Sequence, residues 1–209
     1  MTFKKTLAVI LLVFSNIAWA QENLETVMAR MKPQKTVRIA YQEVRELDLF
    51  SDDWQASGYL YANAPSIMLK QQKNPTLEIM AAEGKELYYY QAETQRFHRM
   101  QLDENNELSA HLSVFRRLMM GDLSNLRQMY TLNFSSTSEA WRLELIENRA
   151  IDEEKSLTVV MQGQVNQAAN SIDITLADGD QFHYALEQPE QTQQIQQELP
   201  QLLQELKHH

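Results

Sequence analysis

The chain has 209 residues, 19 Lys and Arg against 28 Asp and Glu, and a formal net charge of −9, so it has no electrostatic footprint for nucleic acid and is repelled by anionic headgroups. It contains no cysteine, which excludes disulfides and lipidation of an N-terminal cysteine and leaves stability to packing. Five Gly and five Pro exclude a low-complexity or collagen-like chain.

The N-terminus reads as an export signal. Lys4 and Lys5 precede an apolar run from Leu7 to Ile17, and Ala18-Trp19-Ala20 places small residues at positions −3 and −1 before Gln21. The run is too short for a stable membrane anchor. Cleavage after Ala20 would leave residues 21–209 as one soluble, monomeric domain of 189 residues with net charge −11.

A short helical stripe, Leu24, Val27, Met28 and Met31, opens that domain. Period-2 alternation then takes over in Val37, Ile39, Tyr41; Trp54, Ala56, Gly58, Leu60; Ile67, Leu69; Leu77, Ile79, Ala81; and Leu87, Tyr89. After a helical stretch the alternation resumes in Trp141, Leu143, Leu145; Leu157, Val159, Met161; Ile172, Ile174, Leu176; and Phe182, Tyr184, Leu186. Polar partners such as Lys70, Arg142, Glu144, Asp173 and His183 occupy the intervening positions, the pattern of antiparallel strands with one wet face. Turn clusters at Ser51-Asp52-Asp53, Asn63-Ala64-Pro65, Lys73-Asn74-Pro75, Glu83-Gly84-Lys85 and Asp178-Gly179 separate the strands.

The central helical stretch carries Leu108, His111, Leu112, Phe115, Leu118 and Met119, with a further short helix from Asp122 to Tyr130. A last stripe, Ile195, Leu199, Leu202, Leu203 and Leu206, contains Pro200, which is expected to bend or restart the helix. About nine one-faced strands cannot lie flat in water. The fold class that follows is α+β: a strongly curved antiparallel sheet, an unclosed β-barrel, covered on its concave side by helices.

Chemistry is thin. The histidines His98, His111, His183, His208 and His209 form no ligand pair at metal-binding spacing, and ordinary structural roles account for them. No nucleophile elbow, phosphate loop or dinucleotide fingerprint is present. Asp52-Asp53, Asp103-Glu104 and Asp152-Glu153-Glu154 read as solvated charge runs. The sequence predicts a non-enzyme without cofactor or metal.

One ordered set of motifs goes beyond a generic sheet. Gly58-Tyr59-Leu60, Pro65, Pro75, the hairpin Glu83-Gly84-Lys85-Glu86-Leu87-Tyr88-Tyr89-Tyr90 and Gln95 follow one another as in the outer-membrane lipoprotein carriers of Gram-negative bacteria, the LolA family. Leu118-Met119-Met120-Gly121-Asp122-Leu123, then Leu126 and Tyr130, is similar to that family's helical insertion, and Trp141-Arg142-Leu143 restarts the strands. The resemblance spans most of residues 24–187. It implies a periplasmic carrier that shields the acyl chains of a lipoprotein or glycolipid between an inner-membrane transporter and an outer-membrane receptor. The logic is that each buried methylene contributes ~0.8 kcal/mol. The alternative function on the same fold is a periplasmic lipid-sensing regulatory binding protein.

The expected lipid-binding cavity is lined by members of the set Trp54, Leu60, Ile67, Leu69, Leu77, Ile79, Leu87, Leu112, Phe115, Met119, Leu143 and Leu145. The nine methionines after the signal suit adaptable apolar contacts, although core filling explains each singly. In one position the sequence departs from the family pattern. The arginine that resemblance implies before the turn proline, where it ties the lid helices to the sheet, is here Ala64. Arg38, Arg45 and Arg99 are the candidate replacements, and without one the lid is expected to open more readily.

Overall fold

A computed structural model describes residues 22–46, 54–102, 114–148, 157–176 and 178–208. The chain order is α1 (Leu24–Met31), β1 (Val37–Glu46), β2 (Trp54–Asn63), β3 (Ile67–Asn74), β4 (Glu78–Glu83), β5 (Glu86–Gln91) and β6 (Arg96–Gln101), followed by helical residues 114–119, here α2. The second half comprises α3 (Leu123–Met129), β7 (Tyr130–Ser136), β8 (Ala140–Glu147), β9 (Thr158–Gln164), β10 (Ala169–Thr175), β11 (Gln181–Leu186) and α4 (Gln193–Lys207). His111, Leu112, His209 and the charge runs at 52–53, 103–104 and 152–154 lie outside the described residues.

The strands form one antiparallel sheet in the order β6-β5-β4-β3-β2-β1-β11-β10-β9-β8-β7. The last strand pairs with the first, so the two meanders join in the middle, while β6 and β7 remain as separate edges and the barrel is not closed. Tight turns set the hairpins where the sequence places them. Gly84 at φ +60° and Gly179 at φ +99° occupy the left-handed region that a side chain resists.

Register assigns the two faces. Val37, Ala62, Met68, Ala82, Leu87 and Met100 lie opposite one another across six strands on one face. The next register row, Arg38, Tyr61, Leu69, Ala81, Tyr88 and Arg99, lies on the other. The first face is concave. α2 donates from Arg116 to the Gly84 carbonyl in the β4–β5 turn, sets Phe115 5.4 Å from the Tyr184 ring of β11, and reaches Met129 beside β7 through Arg117. Three consecutive residues, 115–117, meet all three only if the sheet curls around them.

The concave face holds the larger core, in which α1 and α2 contribute Val27, Met28, Leu118 and Met119 against Leu60, Trp141, Leu143, Leu145 and Met161. Helices do not cover this face alone, as the sequence pattern suggests. On the convex face α4 packs Ile195, Leu199, Leu203 and Leu206 against Tyr61, Leu69, Ile79, Ala81 and Tyr88. Thr192 caps its first turn, Gln196 bonds both the N–H and the carbonyl of Thr36, and Arg38 pairs with Glu190 and Glu198. The helix also runs across Pro200 without restarting. Apolar anchors on both sides, each contributing about 1.5–3 kcal/mol of burial, outweigh the roughly 3 kcal/mol that an internal proline costs.

If α4 is structural in this sense, Leu199→Ala is expected to lower unfolding free energy by about 2–5 kcal/mol in a urea titration. An unchanged midpoint would mean that the helix is a detachable appendage.

Candidate functional site

The concave face and its helical cover form the candidate site. α1 begins at an Asn23 cap that accepts from the Thr26 N–H, and it buries Leu24, Val27, Met28 and Met31. Its C-terminal end is tied to the β9–β10 turn: Arg30 donates to the Gln167 carbonyl, and the Ala169 N–H approaches the Met31 sulfur at 3.4 Å. α2 meets α1 through Gly121, whose φ is +63°. A β-carbon there would lie 2.3 Å from the Met28 carbonyl oxygen, so glycine permits the two helices to touch backbone to backbone. Arg127 of α3 bonds Glu25 of α1 across the same junction. The helices therefore make up a cover of their own, rich in buried methionine (Met28, Met31, Met119, Met120).

The expected lining residues divide by face. Leu60, Leu87, Phe115, Met119, Leu143 and Leu145 are buried on the concave side or in its cover, and Trp54 stands half-buried at the same face, opposite Arg45. Leu69 and Ile79 are buried under α4 on the convex face, and Ile67 packs against that same cluster. Leu77 is 38% exposed. These four cannot line the concave cavity. Ile67, Leu69, Leu77 and Ile79 alternate in period 2 as concave residues would, but period alone does not say which of two covered faces an apolar row meets.

The expected roomy cavity is smaller than anticipated. A cavity of about 240 Å3 opens between α1, β1 and α2, with Met31, Val37, Ile39, Met119, Ala168 and Pro189 among its walls. That is below the usual 300–1,000 Å3 of ligand sites. Methionine and aliphatic side chains of the cover fill the neighbouring space against the sheet. A long apolar guest requires the cover to move.

Among the described residues, none of the three candidate arginines bonds that cover. Arg38 lies on the convex side with Glu190 and Glu198, and Arg99 pairs with Glu86. Arg45 bonds Glu43. Ala64 packs half-buried at the edge of the concave core. The tie runs the other way: Arg116, on the cover, donates to the backbone of the β4–β5 turn, close to Pro65 and Ser66. Nothing in the sequence singles out Arg116, because one arginine beside another on an amphipathic helix looks like solvated charge.

A second feature escaped the periodicity. Glu43, Lys70 and Tyr184 interrupt the apolar concave face, and Glu43 is 1% exposed. Its carboxylate accepts from Lys70, Arg45 and the Tyr184 hydroxyl at 2.9 Å. Burial alone would raise the Glu43 pKa, but Lys70 and Arg45 outweigh it and hold the carboxyl below its ordinary range. Burial pushes the Tyr41 and Tyr184 hydroxyls up, so both stay protonated at neutral pH.

A carboxyl whose folded pKa lies below its unfolded one stabilises the fold above the ordinary range and loses that contribution as pH falls through the depressed value. Glu43→Gln is therefore expected to cost about 3–5 kcal/mol at neutral pH, by leaving Lys70 buried without its partner. Below about pH 4 the gap to wild type should narrow, read as urea midpoints across a pH series.

No protein-family model matches the sequence, and no curated protein matches it. Among solved structures the chain is similar to a LolA superfamily protein from Nitrosomonas europaea, at 10% identity over 81% of this chain and 91% of that one, with a TM-score of 0.45. It is also similar to a DUF1329 family protein from Desulfovibrio piger, at 8% identity over 79% and 89%, TM-score 0.46. A third is an outer membrane lipoprotein-sorting protein domain from Vibrio parahaemolyticus, at 9% identity over 80% and 93%, TM-score 0.42. The likeness is one of fold alone: like these proteins, the chain forms an open, curved antiparallel sheet with helices against it.

Proposed function

We propose that the protein is a periplasmic carrier that shields the acyl chains of a lipidated molecule, a lipoprotein or glycolipid, on its concave face. The observation that carries this reading is the make-up of the concave core, shared between one curved sheet and a separate helical cover. The sheet presents a largely apolar concave surface, interrupted at Glu43 and Lys70, and its cover includes α1 and α2, joined to each other at Gly121. Buried methionines of the cover, Met28 and Met119 among them, can repack against variable apolar shapes at little cost. Each methylene that replaces a cover side chain regains ~0.8 kcal/mol, so guest and cover compete for the same surface on nearly equal terms.

The export signal read from the first twenty residues supports a location between two membranes, and the ordered LolA-like motifs support the same role. A transporter that loads it and a receptor that unloads it are the partners this reading requires. The direct test is mass spectrometry of lipid extracted from the protein after purification, without detergent, from a Gram-negative periplasm. Acyl-bearing molecules in stoichiometric amount are expected. Protein that is consistently empty, together with no binding of apolar probes, would remove the carrier role.

Control of the cover is expected to run through Arg116. Replacing it with alanine deletes a charge-assisted bond to the Gly84 carbonyl, which contributes about 1.5–3 kcal/mol. Arg116→Ala should take up an environment-sensitive apolar dye roughly tenfold faster than wild type, with an unchanged circular dichroism spectrum. Equal rates would show that the cover is held elsewhere.

A further inference from the structure

We propose that the concave face contains a head-group subsite, centred on Arg45, that takes the phosphate of an acylated amphiphile. The proposal rests on the reading of the concave face as an acyl-chain surface, and adds to it a polar end with a defined chemistry.

Arg45 is the first element. It spends its Nε on Glu43, while its two terminal nitrogens make no hydrogen bond among the described residues. The guanidinium lies 3.9 Å from the Trp54 ring centre and 5.5 Å from that of Phe182, and the side chain remains 28% exposed. A planar cation held between aromatic rings with its fork unoccupied is suited to two parallel bonds to a phosphate. The bonded trio Arg45, Lys70 and Glu43 carries one excess positive charge. Glu78, the nearest further carboxylate on this face among the described residues, accepts from Gln91 and acts electrostatically on Lys70 and Tyr41, so a phosphate here would be held by the Arg45 fork and directed donors rather than by net charge.

Two unsatisfied groups supply the independent observation. The Tyr41 hydroxyl and Gln72 Oε1 are both buried, on residues only 2% exposed, and neither has a hydrogen-bond partner among the described residues. They stand on the same face as Arg45, on either side of Gly58 in register. The Tyr41 ring also borders the Lys70 ammonium, at 5.1 Å, and the Tyr184 ring, at 6.0 Å. Tyr61 and Gln71 on the convex face carry such atoms too, but only Tyr41 and Gln72 stand on the same face as an unpaired arginine fork, where a ligand would satisfy them. Tyr41 would donate to a phosphate oxygen, and Gln72 would accept from a neighbouring hydroxyl or N–H.

The position of the cluster specifies an amphiphile. Tyr184, whose hydroxyl bonds Glu43, stacks at 5.4 Å against Phe115 of the cover. The apolar concave core begins at that contact. A molecule with its phosphate at Arg45 would therefore lay its chain under α2, so binding of the head group would help to hold the cover open.

The test compares decyl phosphate, 1-decanol and inorganic phosphate by isothermal titration calorimetry on the purified protein. Decyl phosphate is expected to bind at least about tenfold more tightly than 1-decanol, the ratio one charge-assisted hydrogen bond supplies, with inorganic phosphate far weaker than either. Arg45→Gln should bring the ratio of the two decyl ligands close to one, and Tyr41→Phe, which leaves every bond of the Glu43 trio in place, should reduce it severalfold. Equal wild-type affinities for decyl phosphate and 1-decanol would overturn the subsite while leaving the acyl-chain reading standing. Failure of both decyl ligands to bind would overturn the carrier reading and the subsite with it. Inorganic phosphate binding as tightly as decyl phosphate would assign the cluster to a free anion and overturn the head-group assignment.

Discussion

Two adjacent residues of β2, Leu60 and Tyr61, are both fully buried, and in a strand neighbours point to opposite faces. The sheet therefore has to be covered twice in its middle, and the rest of the architecture follows from that requirement. α4 covers the convex side permanently, anchored by four aliphatic residues, two ion pairs through Arg38 and the Gln196–Thr36 bonds. The concave cover is different in kind: among the described residues, α1 and α2 meet at a glycine contact, bury apolar side chains against the sheet and make a few side-chain bonds to turns.

Period-2 alternation made nine strands legible, and it missed the two edges. β6 reads Arg-Phe-His-Arg-Met-Gln and is exposed at nearly every position; in β7 only Leu132 and Phe134 are apolar residues at alternating positions beyond Tyr130. An edge strand has one neighbour and little burial, so its sequence carries a weak pattern. The turns were legible because Asn74-Pro75, Gly84 and Gly179 have backbone requirements of their own. The assignment of faces was not, since Leu69 under α4 and Leu60 under α2 are equally apolar. Only pairing across strands separates them. The polar interruption at Glu43, Lys70 and Gln72 also looked like the wet side of a strand, because a buried charge and a solvated one are the same letter.

That interruption adds little to stability. Removing two charges from water costs several kcal/mol each, and mutual attraction inside the fold does little more than repay it. A Leu and a Met at positions 43 and 70 would complete the apolar face as well or better. The trio instead fixes Arg45, whose guanidinium would otherwise be free to swing into solvent, at one place beside Trp54. The unsatisfied Tyr41 hydroxyl and Gln72 carbonyl belong to the same economy, in which local stability is given up to keep polar groups aimed into an apolar face.

Among the described residues the cover meets this polar patch at Phe115 against Tyr184. Moving α2 off the face would break that contact, the Arg116 bond and the burial of Leu118 and Met119 together, and moving α1 would break the Arg30 bond to the Gln167 carbonyl. The groups that resist opening are thus mainly apolar, and an apolar guest on the opened face would replace what they lose. On the proposed reading, a purely apolar guest would gain only what the side chains of the cover lose, whereas one with an anionic end would also satisfy polar groups that have no partner among the described residues. Discrimination between such guests would then reside in the polar end of the face and capacity in the apolar part, so the two properties could change independently through different residues.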